Sequence, residues 1–169
     1  IATRLASQGY GLTITARDAE RLAVVAEELT RAGSPDVVVS AGDMADENFA
    51  SALVATHGDR FGSMRALILN AGVGTSGRVA DYPMRRFDKT VAVNLRTPFA
   101  LLQASLPLLR TAADADLAGG AKVIALASMA GVYAESGLAV YGATKAALIS
   151  MVEALNAEES GNGVSATAI

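Results

Sequence analysis

Tyr141 and Lys145 stand four residues apart in Tyr141-Gly142-Ala143-Thr144-Lys145, a spacing that puts both side chains on one side of a helix, one turn apart. An ammonium held beside a phenol stabilises the phenolate, so such a pair can give up and retrieve a proton near neutral pH. Carbonyl reduction needs that kind of proton donor. The spacing alone arises by chance in many helices, so its surroundings matter. Ser128 lies thirteen residues upstream at what reads as a strand end, and Asn94 sits further back in a helix. Gly72-Val73-Gly74-Thr75-Ser76-Gly77 matches G-x-G-x-x-G after another apolar run. A pyrophosphate loop of that type opens directly into a helix and is followed by an acid about 20 residues on. Here Arg78 to Pro83 intervene and the acid is missing, so the segment reads instead as a flexible loop at the carboxyl end of a strand, where open α/β sheets bind ligands.

The elements that must carry these residues follow from the hydrophobic pattern. Residues 1–8 continue an amphipathic helix stopped by Gly9 and Gly11. Strands are expected at 12–15, 37–39, 66–69, 122–127 and 164–169, and helices at 18–32, 46–56, 83–110 and 139–158. Asp18 is the expected N-cap of the first complete helix and Gly33 its terminator. Short apolar strands alternating with helices imply an α/β, doubly wound, Rossmann-like parallel sheet with helices on both faces, organised as a single domain over 1–169. The chain opens inside a helix and closes on a strand, whereas a doubly wound domain ordinarily begins with a strand and a phosphate-binding turn. The fold is therefore expected to be incomplete at both ends, the middle of a longer protein.

Composition narrows the function classes. Of 169 residues, 51 % are hydrophobic but only 5 % aromatic, so Ala, Val, Leu and Ile must fill the core, as in helix-covered sheets. A net charge of −3 without a basic run argues against nucleic acid or an anionic membrane as partner. The chain has no cysteine, hence no thiolate metal site or cysteine nucleophile, and no metal site is expected. Its one histidine, His57, is read as a solvated helix-end residue, which disfavours a Ser-His-Asp hydrolase. No apolar run approaches the roughly 20 residues of a membrane span, and no signal peptide is visible, so a cytoplasmic location is expected.

With Asn70-Ala71-Gly72 ending one strand, Val93-Asn94-Leu95 in a helix, Ser128 ending the next strand and Tyr141-x-x-x-Lys145 beyond it, the whole chain resembles the short-chain dehydrogenase/reductase family. The resemblance implies an NAD(P)-dependent oxidoreductase acting on CH–OH groups of a small carbonyl or alcohol substrate. Tyr141 would be the general acid in reduction and the base in oxidation. Lys145 would favour the ionised form of Tyr141 and hold the nicotinamide ribose, and Ser128 would polarise the carbonyl. Asn94 would hold a water that refills the proton relay. Asn70, Ala71 and Gly72 would back the cofactor ribose, and Asp43 would contact the adenine amine; the simpler reading of Asp43 is a capping residue. Two positions depart from the family pattern: Leu69 replaces a first asparagine, and Arg65 stands where the family frequently has Asp.

Cofactor choice rests on the end of the 12–15 strand. An NAD enzyme places an acid there, whereas this chain offers Ala16 followed by Arg17, a cation suited to a 2′-phosphate. NADP(H) is therefore favoured over NAD(H), the plainer alternative being an Arg17–Glu20 surface pair. Met129, Tyr133, Glu135 and Leu138 are candidates for a mixed apolar and polar substrate pocket, which leaves the substrate open. By fold-level analogy the two long helices would form a homodimer or homotetramer. The competing readings are a non-catalytic binding or regulatory protein that kept the fold, motivated by the missing glycine loop, and an NAD-dependent isomerase resembling sugar-nucleotide epimerases.

Overall fold

Alternating apolar and amphipathic runs become alternating strands and helices in the computed structural model, which describes residues 1–169. The chain gathers into two units, Ile1–Gly62 and Ser63–Ile169.

The first unit contains α1 (Ala2–Ser7), β1 (Leu12–Ala16), α2 (Ala19–Arg31), β2 (Val37–Ala41) and α3 (Phe49–Phe61). β1 and β2 run parallel, Leu12 opposite Val37 through Ala16 opposite Ala41. Asp18 caps α2 as expected, its carboxylate accepting the Arg21 amide at 3.0 Å. Leu22 and Leu29, two turns apart, are the buried stripe of that helix. Helix α3 differs from the sequence expectation at both ends. Asp43 and Asp46 accept the amides two residues on, from Ala45 and Asn48, each at 2.9 Å, so tight turns hold this stretch and the helix starts only at Phe49. It then runs on to Phe61, where Gly62 takes the left-handed conformation (φ 70°) that closes it. His57 is consequently not a solvated end residue. It is half-buried, its Nδ1 lies 2.8 Å from the Thr13 hydroxyl of β1, and its ring sits 4.9 Å from that of Phe61.

The second unit holds three parallel strands in the order β3 (Ala66–Leu69), β4 (Ala121–Ala125), β5 (Val164–Ala168). Parallel neighbours require crossovers, and helices supply them: α4 (Met84–Val91) and α5 (Thr97–Ala115) between β3 and β4, and α6 (Ala139–Glu159) between β4 and β5. Ala121, Val123, Ala125 and Val164 of the strands are at most 1 % exposed, and Leu109 of α5 and Leu148 of α6 are buried with them. Burying a leucine or valine of this kind contributes about 1.5–3 kcal/mol. At the far end of the two helices Glu159 of α6, only 4 % exposed, receives two donors from Arg110 of α5 and one from Asn162 at 2.9 Å. The Arg110 hydrogen bonds hold the Glu159 carboxyl below the usual carboxylate range despite its burial. The unexpected Arg65 also has a structural partner: it reaches Asp116 at 2.8 Å, across the turn that leads into β4.

Both sheets are parallel and flanked by helices, the Rossmann-like α/β arrangement expected from the alternation. No helix is long and apolar enough to cross a membrane. The stretch expected as one helix over 83–110 is two α-helices joined by a π-helical turn, Ala92–Arg96. Its cause is local. Pro98 has no N–H to give the Asn94 carbonyl four residues earlier, and the pairing shifts by one, the Thr97 amide donating to Ala92.

Candidate active site

Register sets the site. Leu69, the last residue of β3, pairs with Ala125, the last residue of β4, so the segments leaving both strands emerge together at the carboxyl end of the sheet. The Leu126 amide donates to the Leu69 carbonyl at 3.0 Å and prolongs this contact by one residue. Asn70-Ala71-Gly72 leave β3 exposed to solvent. Ser128 follows β4 in an extended conformation and caps the single 3₁₀ turn Met129–Gly131, its Oγ accepting the Ala130 amide at 3.2 Å. That bond occupies an acceptor site only, so the hydroxyl proton is left to donate.

Tyr141 lies in the first turn of α6 and Lys145 one turn later. The Lys145 Nζ is 5.8 Å from the centre of the Tyr141 ring, within cation–π reach, and donates to the Leu126 carbonyl at 2.5 Å. Lys145 is 5 % exposed, and this burial pushes its ammonium below the usual lysine range. Two glycines bring the Ser128 turn onto this helix. A methyl at Gly131 would lie 2.8 Å from the Lys145 carbonyl carbon, and one at Gly142 would lie 2.6 Å from the Ala130 carbonyl oxygen. Each contact is too close for any side chain, so both glycines are required for the Ser128 turn to sit against the helix that carries Tyr141 and Lys145. Neither was singled out from sequence. The available signal was their placement, three residues after Ser128 and one after Tyr141.

Asn94 occupies the π turn and is 1 % exposed. Its Oδ1 accepts the Val73 amide at 2.8 Å, while its Nδ2 donates to the Val73 carbonyl at 3.0 Å and to Thr144 Oγ1 at 3.2 Å. The side chain thus pairs with the loop as a strand would, and reaches α6 one residue from Lys145. Gly72 completes the arrangement, since a Cβ there would meet Asn94 Oδ1 at 3.5 Å and Lys145 Nζ at 3.6 Å. The segment 72–77 has further anchors: besides Val73, the Gly77 amide donates to the Gly137 carbonyl at 2.9 Å. No helix starts at Gly77; the turn Val79–Asp81 and Pro83 separate it from α4.

Asn70 to Gly72, Asn94, Ser128, Tyr141 and Lys145 therefore converge within the second unit. Arg17 and Asp43 belong to the first, each exposed just beyond the carboxyl end of its strand, β1 or β2. Asp43 caps no helix, contrary to its plainer reading: α3 begins only at Phe49, and Asp43 closes a turn through one carboxylate oxygen. The second unit also fits part of a nicotinamide dinucleotide. The side-chain-free edge at Gly72 lies against a buried ammonium with donors beyond the one given to Leu126, which suits ribose hydroxyls. No three His, Asp or Glu side chains are grouped to share a metal ion.

The short chain dehydrogenase family model matches residues 1–169. An uncharacterised oxidoreductase of Staphylococcus epidermidis is 32 % identical over 169 residues, covering 100 % of this chain and 69 % of that protein. The rhamnolipids biosynthesis 3-oxoacyl-[acyl-carrier-protein] reductase of Pseudomonas aeruginosa is also 32 % identical, over 170 residues, covering 100 % of this chain and 65 % of that one. Among solved structures, the NADH-dependent reductase A1-R′ complexed with NAD superposes with a TM-score of 0.91 over 99 % of this chain and 70 % of its own, a likeness of fold at 24 % identity. The chain belongs to the short-chain dehydrogenase family, whose members are oxidoreductases that bind a nicotinamide cofactor.

Proposed function

We propose that the protein transfers a hydride between NADP(H) and a carbonyl or secondary alcohol, with Tyr141 as proton donor in reduction and proton acceptor in oxidation. The observation that carries this reading is the buried Lys145 ammonium, anchored to Leu126 at the sheet end and facing the Tyr141 ring at 5.8 Å. Gly72 and Lys145 would hold a reduced nicotinamide, which would supply the hydride for the carbonyl carbon. Ser128 donates its free hydroxyl proton to the carbonyl oxygen as a hydrogen bond and stabilises the negative charge that grows there. Tyr141 gives its phenolic proton to that oxygen, which completes the alcohol and leaves a phenolate beside the Lys145 cation.

Asn94 supports the relay through its backbone. Its Nδ2 spends both protons on Val73 and Thr144 and its Oδ1 accepts the Val73 amide, while Pro98 leaves its backbone carbonyl without the donor that a regular helix would supply, an acceptor suited to a relay water. Arg17 favours NADP(H) over NAD(H) by offering a cation to the 2′-phosphate, and the second carboxylate oxygen of Asp43 suits the adenine amine. The substrate is a small carbonyl or alcohol whose body meets Met129 and Tyr133, both exposed beside Ser128. Self-association uses the exposed apolar side chains Met84 and Phe87 of α4, which with Ala139, Val140 and Ala143 of α6 line a recess of about 300 Å³.

The test is NADPH oxidation by the protein against a panel of ketones and aldehydes, run beside Tyr141→Phe. Carbonyl-dependent oxidation that falls at least about a hundredfold in the variant is expected. Equal rates in the two proteins would remove Tyr141 from the chemistry.

A further inference from the structure

Gly72-Val73-Gly74-Thr75-Ser76-Gly77 is gripped by one face of the helix that follows it, at three positions four residues apart. Arg86 donates to the Ser76 carbonyl at 3.2 Å, Thr90 meets the Thr75 hydroxyl at 3.2 Å, and Asn94 pairs with both backbone groups of Val73. The 86, 90, 94 spacing follows the face of the helix, while the loop residues run in the opposite direction, 76, 75, 73. Thr90 is the middle rung and is fully buried. Its hydroxyl donates to the Arg86 carbonyl at 2.8 Å, which uses its only proton, so the Thr75 hydroxyl must be the donor in the Thr75–Thr90 bond. A buried hydroxyl placed to accept from one loop residue has a task that neither helix propensity nor core packing requires, since valine has the same shape.

We propose that Thr90 is a positioning residue, holding through Thr75 the loop that presents Gly72 to Lys145 and to the cofactor. The geometry sets the consequence. Gly72 stands only one residue from Val73, and Gly72 itself abuts both Asn94 Oδ1 and Lys145 Nζ. Slack at Thr75 therefore reaches the surface against which the nicotinamide ribose would rest, while Tyr141, Ser128 and Lys145 keep their own supports on α6 and β4. Arg86 is exposed, so its rung contributes less than that of Thr90. This inference rests on the proposed oxidoreductase reading for its kinetic arm only.

Thr90→Val and Thr90→Ser in the otherwise unchanged protein test it by two readouts. In hydrogen exchange without cofactor, the amides of residues 73–77 should exchange about fivefold faster in Thr90→Val, and Thr90→Ser should restore protection. In NADPH-dependent carbonyl reduction, Thr90→Val should raise KM for NADPH about fivefold, with kcat within about twofold and KM recovered in Thr90→Ser. Unchanged exchange in Thr90→Val would overturn the proposal, as would a fall in kcat with KM untouched. A wild-type protein that reduces no carbonyl would overturn the oxidoreductase reading instead, and the exchange measurement would still judge the loop.

Discussion

The two units of the chain treat polar residues in opposite ways. In Ile1–Gly62 the polar groups at the strand ends, Arg17 and Asp43, are exposed, and Ser34 is the only buried polar residue. In Ser63–Ile169 the buried polar set is Thr90, Asn94, Thr97, Ser105, Thr144, Lys145 and Glu159. Asn94, Thr144 and Lys145 of that set converge on the candidate site, and each has a named partner there. A buried polar group costs free energy unless it is paired, so a site assembled from such groups is rigid but sensitive to single atoms. An exposed arginine costs little to hold, and its loss is correspondingly mild. Chemistry is thus expected to depend on the second unit and cofactor preference on the first.

Three substitutions would break or sharpen this contrast. Lys145→Met should have the largest effect, lowering kcat by at least about a hundredfold in carbonyl-dependent NADPH oxidation. It should also change the pH dependence of stability. Burial places the folded-state pKa of Lys145 below 10.5, so between that lowered value and 10.5 the unfolded chain binds more protons than the folded one, and wild-type stability gains as pH rises. The methionine variant lacks this titration. In urea melts from about pH 7 to about pH 10 the stability difference should therefore move in favour of wild type; parallel pH profiles would contradict the burial of a charged lysine.

Gly142→Ala comes next. Its added methyl would lie 2.6 Å from the Ala130 carbonyl oxygen, so the Ser128 turn must move off α6. A stability loss of about 1–3 kcal/mol is expected, read from urea midpoints, together with reduced kcat. The smallest change belongs to the first unit: Arg17→Ala should raise KM for NADPH about tenfold and alter KM for NADH by about twofold at most, with kcat retained. A kcat collapse in Arg17→Ala, or a pure KM effect in Lys145→Met, would erase the division between the units.

Legibility in the sequence followed the range of the interactions. Strand positions held to within a residue or two, because the apolar runs 12–16 and 66–69 are short, bounded and β-branched or aliphatic. Tyr141, Lys145 and Ser128 could be picked out because their spacing is local. The start of α3 was misplaced because Asp43 and Asp46 bond to nearby amides, and these turns outcompete helix in a stretch with helical composition. The π turn at Asn94 had a visible cause in Pro98 but depends on which amide replaces the missing donor. The contacts that were not foreseen are the long-range ones: Asn94 with Val73, the Gly131 and Gly142 approaches, and Arg65 with Asp116 fifty-one residues away. Tertiary pairing of this kind leaves no periodic trace in a single chain.

The central claim, hydride transfer to a carbonyl at the Tyr141–Lys145 site, is tested most directly by following the hydride itself. The protein would be incubated with NADPH carrying deuterium at the transferable position and with a ketone that it accepts, and the product analysed by mass spectrometry. One deuterium on the carbinol carbon, matched mole for mole by oxidised cofactor, is the predicted result. Unlabelled product, or product formed without net cofactor oxidation as an isomerase would give, would contradict it.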